Sequence, residues 1–111
     1  MLIEEVVINH LKNELNIPVL TEIPPNPPEK YVTIQRIESG KRNKIKAVTI
    51  LIQAYEESKY KAALLSAEVE EAMEDIVEND LVFSCELGGG SDNTDTVSKR
   101  YRYETIWNIY Y

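Results

Sequence analysis

Histidine and cysteine most often carry acid–base, nucleophilic or metal chemistry near neutral pH, and this chain has one of each, His10 and Cys85. His10 stands one residue before Leu11 on the flank of an apolar run. No cysteine or second histidine lies at ligand spacing from it, so a zinc site is not expected and a solvated or hydrogen-bonded imidazole is. Cys85 falls between Ser84 and Glu86 in a strand-like segment. An activated thiol needs a base or a positive neighbourhood, and the sequence supplies neither nearby, so a small core residue is expected. As a single cysteine it cannot form an internal disulfide, which fits a reducing cytoplasm.

The segment "GGGSDNTDT" invites a phosphate or calcium reading. Its glycines are consecutive and no Lys-Ser/Thr pair follows, so it is not a phosphate loop. Asp92, Asn93 and Asp95 lack the spacing and closing glutamate of an EF-hand. The plain expectation is a flexible hairpin loop over 88–97, and long loops within compact domains often bind partners. Seven tyrosines are present, and four lie in the last strand, where Tyr101, Tyr103 and Tyr111 share period-two spacing, the mark of a wet sheet surface or an interface. Convergent sets of nucleophile and base, or of metal ligands, are missing. The chain therefore reads as a non-enzyme with no cofactor and no metal.

The elements that would position these residues can be followed along the chain. Residues 2–15 form an amphipathic helix with Ile3, Val7, Leu11 and Leu15 at i, i+4 spacing, ended by Pro18. "VLTE" (19–22) is a short extended piece. Prolines 24, 25, 27 and 28 then make 23–29 a stiff, polyproline-like crossing that donates few backbone hydrogen bonds. Strands follow at 30–39 and 45–55, the second β-branched enough to be central, with a turn over 39–44 in which Gly40 takes positive φ. Ser58 caps a helix reaching about 78, with Ala62, Leu65, Val69, Met73, Ile76 and Val77 as its buried stripe. Glu68, Glu70, Glu71, Glu74, Asp75 and Glu78 dress its outer side. A strand opens at Leu81 and the last runs over 98–111. One face of that last strand carries Tyr101, Tyr103, Thr105, Trp107, Ile109 and Tyr111. The other carries Arg100, Arg102, Glu104, Ile106, Asn108 and Tyr110. The order α-β-β-β-α-β-β, with two hairpins, predicts an α+β domain: a mostly antiparallel sheet of four to five strands with two helices on one face.

At 111 residues, 43% hydrophobic and 28% charged, the chain suits one domain with one core. No run approaches a membrane span and the N-terminus carries Glu4 and Glu5 where a signal peptide would be basic, so a soluble intracellular protein without membrane contact is expected. A net charge of −7 disfavours general nucleic-acid binding. The charge is unevenly spread. Basic residues gather as Lys41, Arg42, Lys44 and Lys46 at the first hairpin tip and as Lys99, Arg100 and Arg102 at the last strand, while seven carboxylates lie between Glu68 and Asp80. Solvated faces are the plain reading. The sharper one is a subunit with one basic and one acidic edge, able to associate head-to-tail. Basic tips facing DNA in a channel rank below that.

The proline-rich lead into "YVTIQRIESG", the "IQAYEES" that enters an alanine-bearing helix near Lys59, and the last strand "RYRYETIW" together resemble the tail terminator and tail-completion proteins of long-tailed bacteriophages and prophages. The likeness is one of layout over nearly the whole chain, without a catalytic signature. It implies two helices on a curved antiparallel sheet. It also implies a homo-oligomeric ring, commonly a hexamer, that caps the head-proximal end of the tail tube, stops its polymerisation and presents a surface to the head. The implied partners are other copies of the chain, the major tail tube protein and a head-completion or neck protein, with DNA in the lumen as a further contact. The implied location is the bacterial cytoplasm during assembly and then the virion tail. Candidate interface residues, by charge and position, are Lys41, Arg42, Lys44, Lys46, Gly89, Ser91, Asp92, Asp95, Lys99, Arg100 and Arg102. A head-closure or neck connector, or a peptide-binding module using the Tyr-rich strand face, are the alternatives.

Overall fold

The computed structural model describes residues 2–42, 44–92 and 101–111. Helix α1 (Ile3–Leu15) places Glu4 and Glu5 in its first turn and Lys12 in its last, both favourable to the helix dipole. It ends because Asn16 adopts left-handed geometry (φ 54°) and donates its N–H to the Lys12 carbonyl at 2.9 Å, after which Pro18 prevents continuation. Strand β1 (Val19–Leu20) pairs parallel to the start of β2 (Tyr31–Arg42). Residues 21–30 form neither helix nor strand and carry the chain back to the foot of β2. The proline segment therefore closes a parallel crossover of ten residues. Stiff backbone suits so short a connection, because less entropy is lost in fixing it.

Strands β2 and β3 (Ile45–Glu56) form an antiparallel hairpin with one bulge, between Arg36 and Glu38, which leaves Ile37 as the extra residue. Pairing continues to Lys41↔Lys46 and Arg42↔Ile45, so the turn is tighter than 39–44. Gly40 lies within the strand and does not take positive φ; Lys44 does, at 67°. The reason is register, since a two-residue connection forces the left-handed residue to the tip itself.

Ser58 caps α2 (Lys59–Glu74) by accepting from the Lys61 N–H at 3.2 Å. A single turn of 3₁₀ helix, Asp75–Glu78, follows, so the regular helix stops four residues short of the expected end. The tighter turn rotates Val77 off the buried stripe and leaves it exposed, while Ile76 is wholly buried. Strand β4 (Ser84–Asp92) starts three residues later than Leu81, which sits in a turn where the Asn79 side chain accepts the Leu81 N–H. Gly88, Gly89 and Gly90 are strand residues of β4, not loop. A bulge between Leu87 and Gly89 accommodates them, and Gly89, at φ 155°, needs to be glycine. Strand β5 (Tyr101–Tyr110) completes a mixed five-stranded sheet in the order β1-β2-β3-β5-β4. β3 is central, as its β-branched run predicts.

Both helices lie on one side. Val7, Leu11, Leu65, Val69, Met73 and Ile76 meet Val32, Ile34, Val48, Ile50, Ile52, Trp107 and Ile109 in one continuous core. Each such fully buried aliphatic side chain contributes about 1.5–3 kcal/mol relative to exposure. The face of β5 bearing Thr105, Trp107 and Ile109 is thus the buried one, where a wet Tyr-rich surface was expected. The aliphatic density of the neighbouring β3 row (Val48, Ile50, Ile52) draws it under the helices. No helix among the described residues is long and apolar enough to cross a membrane.

Candidate assembly surface

Among the described residues no helix covers the second face of the sheet, and its polar side chains pair with one another across strands. Thr33 of β2 donates its hydroxyl to Gln53 Oε1 of β3 at 3.1 Å. Gln53 Nε2 donates to Glu104 Oε1 of β5 at 2.6 Å, and the Tyr55 hydroxyl donates to Gln53 Oε1 at 3.2 Å. Arg102 reaches the Tyr55 hydroxyl at 3.5 Å and lies 3.9 Å from Glu104. Tyr31 and Tyr55 stack with centroids 4.6 Å apart and rings 6° from parallel, both almost fully buried. Further along, Thr49 donates to Asn108 Oδ1 at 3.0 Å. No buried side-chain nitrogen or oxygen among the described residues lacks a partner. The ladder fixes side chains on a face that water alone would leave mobile, giving a preformed surface.

Beside Asn108, Glu38, Gly40, Ala47, Thr49 and Tyr110 border a shallow groove of about 270 Å³. Its floor is open because Gly40 and Ala47 face each other across β2 and β3. Ile106 and Tyr110 add exposed apolar area to the same face.

The candidate interface residues do not form one patch. Lys41, Lys44 and Lys46 are exposed at the β2–β3 tip, where Lys46 Nζ lies 5.9 Å from the centre of the Tyr111 ring. Arg42 belongs to the last strand pair of that tip. Gly89, Ser91 and Asp92 lie on β4, toward the other end, opposite Ile106, Glu104 and Tyr103. Arg102 pairs with Tyr55, eight residues along β5 from Tyr110, roughly 26 Å at strand rise. Asp95, Lys99 and Arg100 lie outside the described residues. The basic β2–β3 tip and Arg102 thus sit at opposite ends of the sheet, because the β2–β3 and β4–β5 hairpins turn at opposite ends.

The acidic face is a separate feature. Glu14, Glu68, Glu71 and Asp75 line a cleft of about 460 Å³ between α1 and α2, with Lys30 at its margin. Sequence spacing indicated the α2 carboxylates; that Glu14 joins them required the packing of α1 antiparallel to α2.

His10 Nε2 donates to the Ala72 carbonyl at 2.6 Å, tying α1 to α2. Cys85 is half-buried against the core, and burial, aided by Glu86, pushes its thiol up to about 11. That holds it as the unreactive thiol near neutral pH. Among the described residues no group of three or more histidine, cysteine or carboxylate side chains could hold a metal.

The Thr33–Gln53–Glu104 ladder was missed by sequence reasoning. Its signal was present as Thr49 and Gln53, polar residues at alternate positions of an otherwise aliphatic strand, but their partners come from strands 20 and 51 residues away. Protein-family models give no match to the chain, and neither do curated proteins.

Proposed function

We propose that the chain is a structural subunit of a phage or prophage tail, forming a ring that caps the head-proximal end of the tail tube and offers a docking surface to the head. The observation that carries this reading is the second sheet face, free of helix among the described residues, where the half-buried Gln53, Arg102 and Glu104 are held in place by hydrogen bonds to one another and to the buried Thr33 and Tyr55. Such a face can meet another protein without first ordering its side chains. The layout resemblance of the sequence supplies the kind of assembly. In this reading the subunit works by shape and adhesion, with no bond made or broken.

Native mass spectrometry of the purified chain, alone and with tail tube from the same particle, tests it. A closed ring, or a monomer converted to a ring by the tube, is the expected result, with capped tubes that no longer elongate. A monomer unaffected by tube would overturn it. The basic tip belongs to the same reading: reversing Lys41, Arg42 and Lys44 to Glu should weaken assembly while leaving the fold intact, and an unchanged oligomer would remove the tip from the interface.

A further inference from the structure

Two strands of the sheet have an outer side that no strand among the described residues occupies. β1 covers β2 only at Val32 and Thr33, so β2 has no strand beside it from Ile34 to Arg42 among the described residues. At the other end of the sheet order, β4 pairs among the described residues with β5 alone. Each edge is broken once by a bulge, at Arg36/Glu38 and at Leu87/Gly89, and each keeps a regular run on the same side of its bulge. Those runs are Glu38–Arg42 and Ser84–Leu87.

The two runs lie level with each other. Through the ladder, Ser39 pairs with Val48, Val48 with Ile109 and Ile109 with Cys85, so Ser39 and Cys85 end one row across the sheet. The strand directions also fit. β2 and β4 run antiparallel to one another, so a neighbour that sets its β2 against β4 continues the antiparallel alternation.

We infer that copies of this chain join through these edges, the β4 run Ser84–Leu87 of one copy adding as a strand to the β2 run Glu38–Arg42 of the next. The contact is heterologous, joining two different surfaces, and it closes into a ring where the rotation per copy permits. Backbone N–H and C=O groups supply adhesion, as in other strand additions. Charge selects the register. Strict row-to-row pairing would set Glu38 opposite Glu86, two like charges on one face. A shift of two residues sets Glu86 opposite Gly40, brings Ser84 to Arg42 and places Cys85 opposite Lys41. Ser39, Lys41 and Cys85 all fall on the helix side of the sheet, so either register brings Cys85 beside a residue of its own face.

This inference rests on the ring reading and names the surfaces that meet in it. The test uses the full chain under conditions in which the unmodified protein is assembled. Ser39→Cys and Lys41→Cys variants, each retaining Cys85, are oxidised with copper phenanthroline and run on non-reducing gels. One of them should give a ladder of covalent multimers, lost when Cys85→Ser is added. In the unmodified protein, amides of 38–42 and 84–87 should exchange at least tenfold more slowly in the assembled form than in the monomer. Protection without a ladder still supports the pairing, since a disulfide demands closer geometry than a strand pair does. A ladder without protection, or a ring with neither, overturns the edge contact and leaves the ring standing. An unmodified chain that stays monomeric with tail tube present overturns the ring reading itself.

Discussion

The two faces of the sheet are built from the same three strands and differ in what satisfies them. On the covered face, Ile50, Ile52, Trp107 and Ile109 are removed from water by α1 and α2; Trp107 Nε1 donates to Thr105 Oγ1 at 2.8 Å within β5, and Arg36 of β2 pairs with Glu4 of α1. On the open face, Thr33, Gln53 and Glu104 reach across three strands to find each other. The covered face holds the molecule together by area. The open face is held in shape by direction, because hydrogen bonds fix angles and apolar contacts do not. That division lets one side carry stability and leaves the other free to serve as a surface.

Substitutions on each face should separate these roles, and the largest effect belongs to the covered one. Trp107→Ala should cost about 3–5 kcal/mol in chemical denaturation, since it opens a cavity under α2 and removes the donor to Thr105. A loss below about 1 kcal/mol would mean the helices do not depend on that row. On the open face, Glu104→Ala should cost about 1–2 kcal/mol by the same measurement, because Gln53 Nε2 loses a charged acceptor in a half-buried place. Its companion effect, weaker assembly at unchanged secondary structure, is the sharper discriminator of the two faces.

Smaller effects are expected at the margins. Lys44→Gly should raise stability by up to about 1 kcal/mol, because a side chain at φ 67° is strained and glycine is not. If the basic tip contacts a neighbour, the same change should weaken assembly, so the two readouts move in opposite directions. Cys85 gives the smallest signal. Its folded thiol titrates near 11 against an ordinary 9.0, so the folded state disfavours the thiolate. The associated stability is therefore present below about pH 9 and lost as pH rises toward 11. Denaturation across that window should show a steeper fall for the natural chain than for Cys85→Ala. Parallel curves would mean that the thiol is not held back by burial.

Several parts of the fold were legible in the residues themselves. Pro18, Ser58 and the β-branched run of β3 marked a helix end, a helix start and a central strand by local chemistry alone. Gly40 and the glycines 88–90 misled for one shared reason. Glycine and polar clusters signal a turn by local preference, while pairing with a neighbouring strand can carry a segment through as strand. β3 did this for Gly40 and β5 for the glycines of β4. The candidate surface was less legible still. Charge clusters could be read from the chain, but the separation of the β2–β3 tip from Arg102 to opposite ends of the sheet depended on the direction of each hairpin.

Local residue chemistry determined the element types, their order and the burial of one face of each, because periodicity and backbone restriction act within a few residues. Tertiary structure decided which face of β5 goes under the helices, where the ladder finds its partners, and which strand edges stay open. Those outcomes depend on pairing between residues 20 to 60 positions apart, and the side chain at either end does not specify its distant partner.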